Sequence, residues 1–243
     1  MEEIRDRVED TVIDKEVAES LKPYYDMFCK RPCFHDEYLN SFNKETVTLL
    51  DTDGKGVDSI TSNGLIVKGK EYSVDCIIFA TGFEVGTEYT RRAGYDVVGH
   101  NGVTLTDKWS GGMRTLHGIH THGFPNLFII SNSQAGFTTN FPHSMDETAQ
   151  HIGYIMDRCK EEGIQTVEAT KEAEDEWVEH IISVSRFSED FQAACTPGYY
   201  NNEGQPNPKS VQNGPYGKGS RPYFRITKAW REEGSMAGLD QIR

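Results

Sequence analysis

The run Val74-Asp-Cys-Ile-Ile-Phe-Ala80 most constrains what this chain can fold into. Apart from one aspartate it is apolar at successive positions, so both faces of a strand formed there would be hydrophobic. Such a strand is typical of the centre of a parallel sheet that is covered by helices on both sides. A second apolar run, Leu127–Ile130, predicts another buried strand. Together the two runs favour an α/β fold.

Neither run is followed by a Gly-x-Gly-x-x-Gly loop. A complete dinucleotide-binding unit needs these glycines, because its backbone must approach the pyrophosphate closely at the first strand-to-helix turn. We therefore expect the chain to hold the later strands and helices of such a domain without its first Gly-rich βαβ units. The sequence is typical of a portion of a longer protein.

Local patterns predict several helices and short strands. A long helix is expected to begin at Asn140, with Pro142 in its first turn, and to stop at Gly163. Its predicted buried face consists of Met145, Ala149, Ile152, Met156 and Cys159. The other predicted elements are a helix over residues 2–20, strands Val47–Leu50 and Gly64–Val67, a helix from Thr170 with Ala173, Trp177 and Ile181 on one face, a loop over Pro197–Arg221, and a last short helix from Trp230 into the final residues.

The charge balance and the cysteines limit the classes of partner and location. A formal net charge of −13 repels phosphodiester backbones and anionic membranes, which argues against nucleic acid as a partner. The apolar runs are far too short to span a bilayer, and the charged N-terminus does not resemble a signal peptide. The five cysteines are odd in number and scattered, so we expect a reduced, cytoplasmic chain.

Five motifs carry a resemblance to a known family. The strand ending Ala80-Thr-Gly-Phe83 resembles the strand that returns to the FAD domain in flavin monooxygenases. Four further matches make the chain similar to the C-terminal portion of Baeyer–Villiger monooxygenases. They are Cys29-Lys-Arg-Pro32 followed by Tyr38 and Phe42-Asn43, Trp109-Ser-Gly-Gly-Met-Arg-Thr115, Gly123-Phe-Pro-Asn-Leu-Phe128, and Glu174-Asp-Glu-Trp177.

The resemblance implies a fold, two cofactors and a reaction. The fold is an incomplete two-dinucleotide-binding-domain flavoprotein: residues 1–70 would end the NADPH-binding domain and form a return linker, 71–165 would complete the FAD-binding domain, and 166–243 would form C-terminal helices and a substrate and cofactor loop. With NADPH and FAD, such enzymes insert one atom of O2 next to a ketone carbonyl to give an ester or lactone. The Gly-rich loops and the family fingerprint would belong to the N-terminal half, so this portion is expected to be inactive alone. Large cyclic or steroid-like ketones are the implied subgroup of substrates.

Arg31 matches the catalytic arginine of the family. Negative charge persists while oxygen is transferred, so a fixed cation beside the reacting atoms is required. An arginine suits this role because its guanidinium keeps its proton and offers a fork of donors. Lys30 matches the position that meets the 2′-phosphate of NADPH. Without the resemblance, both residues would be interpreted as surface cations.

A second predicted site surrounds the flavin ring. Thr139, Asn140 and Phe141 begin the long helix, whose free N–H groups would face the anionic edge of the reduced flavin; Asn140 is also interpreted simply as an N-cap. Thr81 and Gly82 follow the apolar strand, where a glycine permits close approach to a cofactor or merely a tight turn. The remaining member is Tyr199, which would stack on NADPH or pack within its loop.

Three alternatives stay open from the sequence. The spacing His117-x-x-His120-x-His122 suggests zinc, as does Cys29-x-x-x-Cys33 with His35, but neither has a C-x-x-C partner, and no metal site is predicted. Another flavin enzyme, such as an N-hydroxylating monooxygenase or a pyridine nucleotide-dependent reductase, would explain Ala80-Thr-Gly82 but not Lys30-Arg31-Pro32. A non-catalytic binding module would explain the missing glycine loops.

Overall fold

The chain divides into two compact units. The computed structural model describes residues 1–82, 89–198, 200–201, 204–205 and 209–243. The first unit consists of Met1–Gly86 with Asp190–Gly204, and the second of Thr87–Glu189 with Gln205–Arg243. Among the described residues, no helix combines the length and the apolar character that crossing a membrane requires.

The first unit begins with a small helical cluster. Buried Val8, Val12 and Ala18 form its centre, with Leu39 and Phe42 packed against them. The helices of this unit are α1 (Glu2–Thr11), α2 (Lys15–Leu21), α3 (Tyr38–Ser41) and α8 (Glu189–Ala194), whose first residue lies outside the unit.

The single helix predicted over residues 2–20 is wrong, because the chain breaks at Ile13 and Asp14. The Asp14 carboxylate accepts hydrogen bonds from the N–H groups of Glu16, at 2.9 Å, and Val17, at 3.1 Å, and so caps a new helix. The side chain of Asn43 also bonds to the backbone of Thr11 and Ile13 at the break.

A three-stranded antiparallel sheet follows in the same unit. Its strands are β1 (Ser59–Ile60), β2 (Gly64–Val67) and β3 (Lys70–Ser73), in the order β1-β2-β3. The predicted strand Gly64–Val67 is confirmed as β2. Glycine is required at position 64, since a Cβ there would lie 1.9 Å from the carbonyl oxygen of Tyr72. The predicted strand Val47–Leu50 is wrong, and that segment is irregular.

The two apolar runs do not form the predicted strands. In the segment Val74–Ala80 the side chains of Ile78 and Phe79 are 85% and 71% exposed. In Leu127–Ile130, Ile129 donates one backbone hydrogen bond to the carbonyl of Ile119, without a ladder. The physical reason is the lack of partners, because a parallel strand needs neighbours and every strand pair in the described part of the chain is antiparallel.

The second unit consists of helices with a two-stranded antiparallel sheet. The buried core includes Ile155, Trp177, Ile181, Tyr223 and Trp230. Strand β4 pairs with β5 from Thr166 opposite Ile242 to Ala169 opposite Leu239. The elements are α4 (Tyr89–Ala93), a 3-10 turn (His100–Gly102), α5 (Leu105–Lys108), α6 (Phe141–Glu162), β4 (Thr166–Ala169), α7 (Lys171–Val184), α9 (Ser210–Asn213), α10 (Ser220–Glu233) and β5 (Leu239–Ile242).

The ends of α6 and α7 lie where local chemistry predicts them. Asn140 caps α6, and Gly163 ends it in the left-handed region with φ of +67°. Thr170 caps α7 by accepting a hydrogen bond from Ala173 N–H at 3.2 Å. The predicted face of α7 is confirmed, since Trp177 and Ile181 are buried. The C-terminal predictions are partly wrong: α9 and the start of α10 interrupt the predicted loop, and the final residues form β5 rather than a helix.

The predicted buried face of α6 is also wrong. The buried residues of this helix are Ser144, Thr148, His151 and Ile155, one position earlier than four of the five predicted residues. One position corresponds to a rotation of about 100° around the helix axis. Met156, predicted to be buried, is 58% exposed. The core accepts this polar face because the Thr148 hydroxyl donates to the Ser144 carbonyl and the His151 ring packs on Trp230.

Candidate functional site

The segment that carries Lys30 and Arg31 is joined covalently to residue 195. Cys29 and Cys195 form a disulfide, with Cα atoms 5.2 Å apart. The expectation of a fully reduced chain is therefore wrong for this pair, which lies 166 positions apart in the sequence and so gave no spacing signal. Cys33, Cys76 and Cys159 remain free thiols.

Lys30 and Arg31 differ in the contacts that their side chains make within the first unit. The Lys30 ammonium donates to the main-chain carbonyls of Thr196, at 3.4 Å, and of Pro197. Glycine at position 198 makes room for it, since a Cβ there would lie 2.7 Å from Lys30 Nζ. Arg31 is exposed, and its guanidinium has no hydrogen bond or ion pair to any residue that the structure describes. Arg31 thus presents an uncommitted cation on an anchored segment.

Thr81 and Gly82 lie at the exposed end of the apolar run of the same unit. Gly82 has φ of +85°, a conformation that residues with a Cβ rarely adopt. No described atom would contact a Cβ at this position, so the requirement for glycine comes from the backbone conformation and not from crowding.

The start of α6 lies in the second unit and leaves two N–H groups available. The Asn140 side chain accepts from His143 N–H at 3.4 Å, and its own N–H donates to the Thr138 hydroxyl at 3.1 Å. For the N–H groups of exposed Thr139 and Phe141 we find no acceptor among the described residues. Both interpretations of Asn140 are thus compatible with the structure: it caps the helix, and the neighbouring donors stay open.

Gln134, which the sequence patterns did not single out, is the buried anchor of the loop before α6. Its side chain is fully enclosed and bonds to Thr115, Met113 and Gln212. Its backbone φ is +56°, and its carbonyl accepts the indole N–H of Trp177 at 3.2 Å. A glutamine in a polar loop gives no sequence signal for burial, so only the fold reveals this role.

Glu174 is a second missed anchor, although it lies inside a motif. Its carboxylate is 1% exposed and accepts 2.8 Å hydrogen bonds from the Thr121 hydroxyl and the His122 N–H. Its other oxygen lies 3.0 Å from Lys108 Nζ and 3.5 Å from Arg114 Nε. The buried charge is therefore fully paired and holds residues 108–122 on α7.

The histidine run enters the hydrophobic core instead of forming a ligand set. Burial lowers the pKa of His117 to about 3, of His120 to about 4 and of His151 to about 2. His117 packs edge-on against Trp177 at 4.9 Å, while the Nδ1 of His122 bonds to the Ala169 carbonyl. Within the described ranges, no group of three or more histidine, cysteine or acidic side chains is arranged to hold a metal ion.

A surface cavity of about 510 Å³ opens elsewhere in the second unit. Its polar lining includes His100, Lys108, His122 and Glu168. Glu168 accepts a 2.7 Å hydrogen bond from Gly123 N–H and lies 3.5 Å from His100 Nε2. Within the described part of the chain, the residues predicted for the site do not line this cavity.

The predicted residues thus fall into separate groups. In the first unit Lys30 contacts the carbonyls of Thr196 and Pro197, with Arg31 next to it in the chain, while Thr81 and Gly82 lie at the end of the apolar run. Thr139, Asn140 and Phe141 form the start of α6 in the second unit. The remaining predicted contact, Tyr199, lies outside the described residues.

Relatives match this chain along almost its whole length. Pentalenolactone D synthase of Streptomyces arenae is 48% identical over 242 residues, or 99% of this chain and 41% of that protein. FAD-binding monooxygenase hmp7 of Hypomyces subiculosus is 44% identical over 241 residues, or 99% and 40%. Baeyer-Villiger monooxygenase ATR8 of Stachybotrys chlorohalonatus is 44% identical over 240 residues, or 98% and 38%. The chain therefore spans about two fifths of the length of these relatives.

Solved structures confirm the expected fold class. A polycyclic ketone monooxygenase from the thermophilic fungus Thermothelomyces thermophila has a TM-score of 0.85 and 36% identity, and the match covers 99% of this chain and 39% of that chain. An oxidised steroid monooxygenase bound to NADP has a TM-score of 0.81 over 98% of this chain and 44% of that chain; at 24% identity it supports the fold alone. No protein-family profile matches the chain.

Proposed function

Because this chain belongs to the Baeyer–Villiger monooxygenases over the two fifths of their length that it spans, we propose that it forms part of an enzyme that uses NADPH, FAD and O2 to convert a ketone into an ester or lactone. One oxygen atom enters beside the carbonyl and the other leaves as water. The N-terminal half of the same enzyme is the partner that this proposal requires.

The exposed guanidinium of Arg31, which has no partner among the residues that the structure describes, is the observation that carries the proposal. Oxygen transfer to a carbonyl passes through negatively charged species, and a cation fixed beside them stabilises each one. A lysine at this position could lose its proton to those species, whereas arginine cannot. The Cys29–Cys195 disulfide and the Lys30 contacts restrict the backbone beside Arg31, so the segment that carries the charge is anchored within the first unit.

The start of α6 fits the anionic edge of a flavin. Bound FAD would supply the electrons and the oxygen activation. The N–H groups of Thr139 and Phe141, for which the described residues offer no acceptor, lie at a helix N-terminus, where the helix dipole favours negative charge. Asn140 keeps the helix start ordered by capping it. In this proposal Thr139 and Phe141 bind and orient the ring through backbone donors, and Asn140 borders it as the cap between them.

The proposed NADPH contacts are Lys30, Thr81, Gly82 and Tyr199. Lys30 commits its ammonium to two carbonyls, which leaves one of its three N–H donors for a phosphate. Thr81 and Gly82 would border a cofactor at the end of the apolar run, and Tyr199 would stack on NADPH. The domain limits at residues 1–70, 71–165 and 166–243, and a cytoplasmic location, remain parts of the same proposal.

A large cyclic ketone is the proposed substrate. The polycyclic ketone monooxygenase is the supporting relative, because its 36% identity extends over 99% of this chain.

Isotope labelling tests this function directly. The complete flavin-loaded protein is given NADPH, 18O-labelled O2 and a panel of monocyclic, polycyclic and steroid ketones. We expect one labelled atom in the ester or lactone and one in water, with one NADPH consumed. NADPH consumption that yields only hydrogen peroxide across the panel, together with hydroxylated product from an amine panel, would replace this proposal with the N-hydroxylating alternative.

A further inference from the structure

We propose that Gln134 is a positioning residue. It holds the loop before α6 in the position and orientation that oxygen transfer requires. The inference rests on the proposed function, because the start of α6 matters to the reaction only if a flavin lies there. No motif in the sequence identified Gln134. We use the word clasp for residues 134–136 together with the hydrogen bonds and contacts that hold them, all of which lie within the second unit.

The side-chain amide of Gln134 forms hydrogen bonds with two separate segments of the chain. Its Oε1 accepts a 2.5 Å hydrogen bond from the Thr115 hydroxyl. Its Nε2 donates to the carbonyls of Met113, at 2.6 Å, and of Gln212, at 3.0 Å. Both amide hydrogens are therefore committed to carbonyl oxygens, an arrangement that a carboxylate or a thioether cannot reproduce.

The backbone of Gln134 is held just as firmly. Its N–H donates to the Gly214 carbonyl at 2.8 Å, and its carbonyl accepts from Trp177 Nε1 at 3.2 Å. These contacts hold a residue with a Cβ in the left-handed region, at φ of +56°. Such a conformation persists only where surrounding contacts over-determine it, and it is more common at functional sites than elsewhere.

The next two residues extend the clasp towards the helix. The carbonyl of Ala135 accepts a 2.9 Å hydrogen bond from Tyr216 N–H. Gly136 packs so closely on α10 that a Cβ there would lie 2.6 Å from Tyr223 Cδ1. Three consecutive loop residues are thus fixed by the segment 212–223.

Only residues 137–139 separate this clasp from the Asn140 cap. The four Cα–Cα steps from Gly136 to Asn140 reach about 14 Å at most, so a shift of the anchor is passed on to the helix start. Misplacement of a reacting group by about 1 Å can reduce a rate about 100-fold. A loosened clasp should therefore divert reduced flavin from oxygen transfer to the ketone towards release of hydrogen peroxide, in which NADPH, a proton and O2 give NADP and H2O2.

The test uses Gln134→Met and Gln134→Glu in the complete, flavin-loaded protein. Gln150→Met serves as the matched control, because Gln150 is exposed on α6 and its side chain bonds to Asp146 one turn away on the same helix. The rate of hydrogen–deuterium exchange of residues 135–141 measures how firmly the clasp holds the loop. The ratio of ester to hydrogen peroxide formed per NADPH measures the effect on oxygen transfer.

In both Gln134 variants we expect exchange of residues 135–141 to become about tenfold faster. The rate of ester formation should fall about 10- to 100-fold, with flavin reduction by NADPH unchanged and the lost turnover recovered as hydrogen peroxide. Unchanged exchange in a folded variant, or faster exchange with an unchanged product ratio, would overturn the positioning role.

A milder variant covers the case in which both Gln134 variants fail to fold. Thr115→Val removes only the hydroxyl that bonds to Gln134 Oε1 and to Gly118 N–H. It should give the same pattern at smaller amplitude, and a wild-type product ratio with wild-type exchange would again overturn the proposal. If the proposed function is wrong, the unmodified protein itself forms no ester. Its exchange rates still show whether the clasp holds the loop, so this result is distinct from failure of the positioning role.

Discussion

Glu174 and Trp177 lie one turn apart on α7, and each fastens a different segment of the second unit. The Glu174 carboxylate binds the Thr121 hydroxyl and the His122 N–H, both at 2.8 Å. The Trp177 indole donates to the carbonyl of Gln134 at 3.2 Å. The spacing of the motif Glu174-Asp-Glu-Trp177 therefore has a structural explanation, since residues three apart share one face of a helix.

Replacing Glu174 with Gln should strongly destabilise the second unit. The neutral amide would leave Lys108 without its buried counter-charge and Arg114 with Asp175 as its partner, and it could not accept all of the present hydrogen bonds. Breaking a buried ion pair from one side costs about 3–5 kcal/mol, so we expect a loss of about 3 kcal/mol because Arg114 is partly exposed and keeps a partner. Chemical denaturation measures this difference. The exposed Glu172→Gln on the same helix should change it by less than about 0.5 kcal/mol.

The disulfide predicts a redox-dependent stability of the first unit. Cys29→Ser should lower the free energy of unfolding by about 2–4 kcal/mol, because the cross-link closes a long loop and limits the unfolded chain. Peptide mapping without reductant, after blocking free thiols, should recover Cys29 joined to Cys195. The exposed Cys33→Ser is the control and should leave stability unchanged. Finding Cys29 blocked as a free thiol in the native protein would contradict the cross-link.

Elements set by neighbouring residues were predictable from the sequence. The start of α6 at Asn140, its end at Gly163 and the cap of α7 at Thr170 depend on hydrogen bonds within a few residues. Such hydrogen bonds can be predicted from a short stretch of sequence because both partners lie inside it. The face of α7 with Trp177 was equally accessible, since Trp177 and Ile181 of the predicted apolar spacing are buried.

Features that depend on distant partners were not predictable. The run Val74–Ala80 has the composition of a central strand, yet strand formation needs neighbours that the described residues do not supply. The buried side of α6 contains His151, which apolar spacing cannot indicate. Gln134 and the Cys29–Cys195 pair illustrate the same limit in the candidate site, because their partners lie up to 166 positions away.

The core histidines predict that stability falls in mild acid. Burial lowers the pKa of His117 to about 3 and of His120 to about 4, from an ordinary value of 6.5. Between those limits the unfolded chain binds protons that the folded chain does not, so stability is full above pH 6.5 and declines as the pH falls towards 4. Each such histidine adds a slope of up to about 1.4 kcal/mol per pH unit.

Replacement of one buried ring tests this slope. Both ring nitrogens of His120 lack a hydrogen-bond partner among the described residues, and its ring lies 5.0 Å from that of Phe128. His120→Phe should therefore make the melting temperature less sensitive to pH between 6.5 and 4. The exposed His143→Phe is the matched control and should keep the wild-type pH dependence. An unaltered slope in His120→Phe would show that this histidine does not govern the acid response.

Arg31 provides the sharpest prediction about chemistry, because its guanidinium is exposed and has no partner in the described part of the chain. Arg31→Ala should abolish ester formation while NADPH still reduces the flavin, since hydride transfer does not develop the charge that Arg31 would stabilise. Arg31→Lys should restore little, because a lysine can donate its proton and favours release of hydrogen peroxide. Stopped-flow absorbance follows flavin reduction, and product analysis follows the ester. Arg7 is an exposed arginine of the same unit, and the control variant Arg7→Ala should match the wild type in both measurements. A normal ester yield from Arg31→Ala would remove Arg31 from the mechanism.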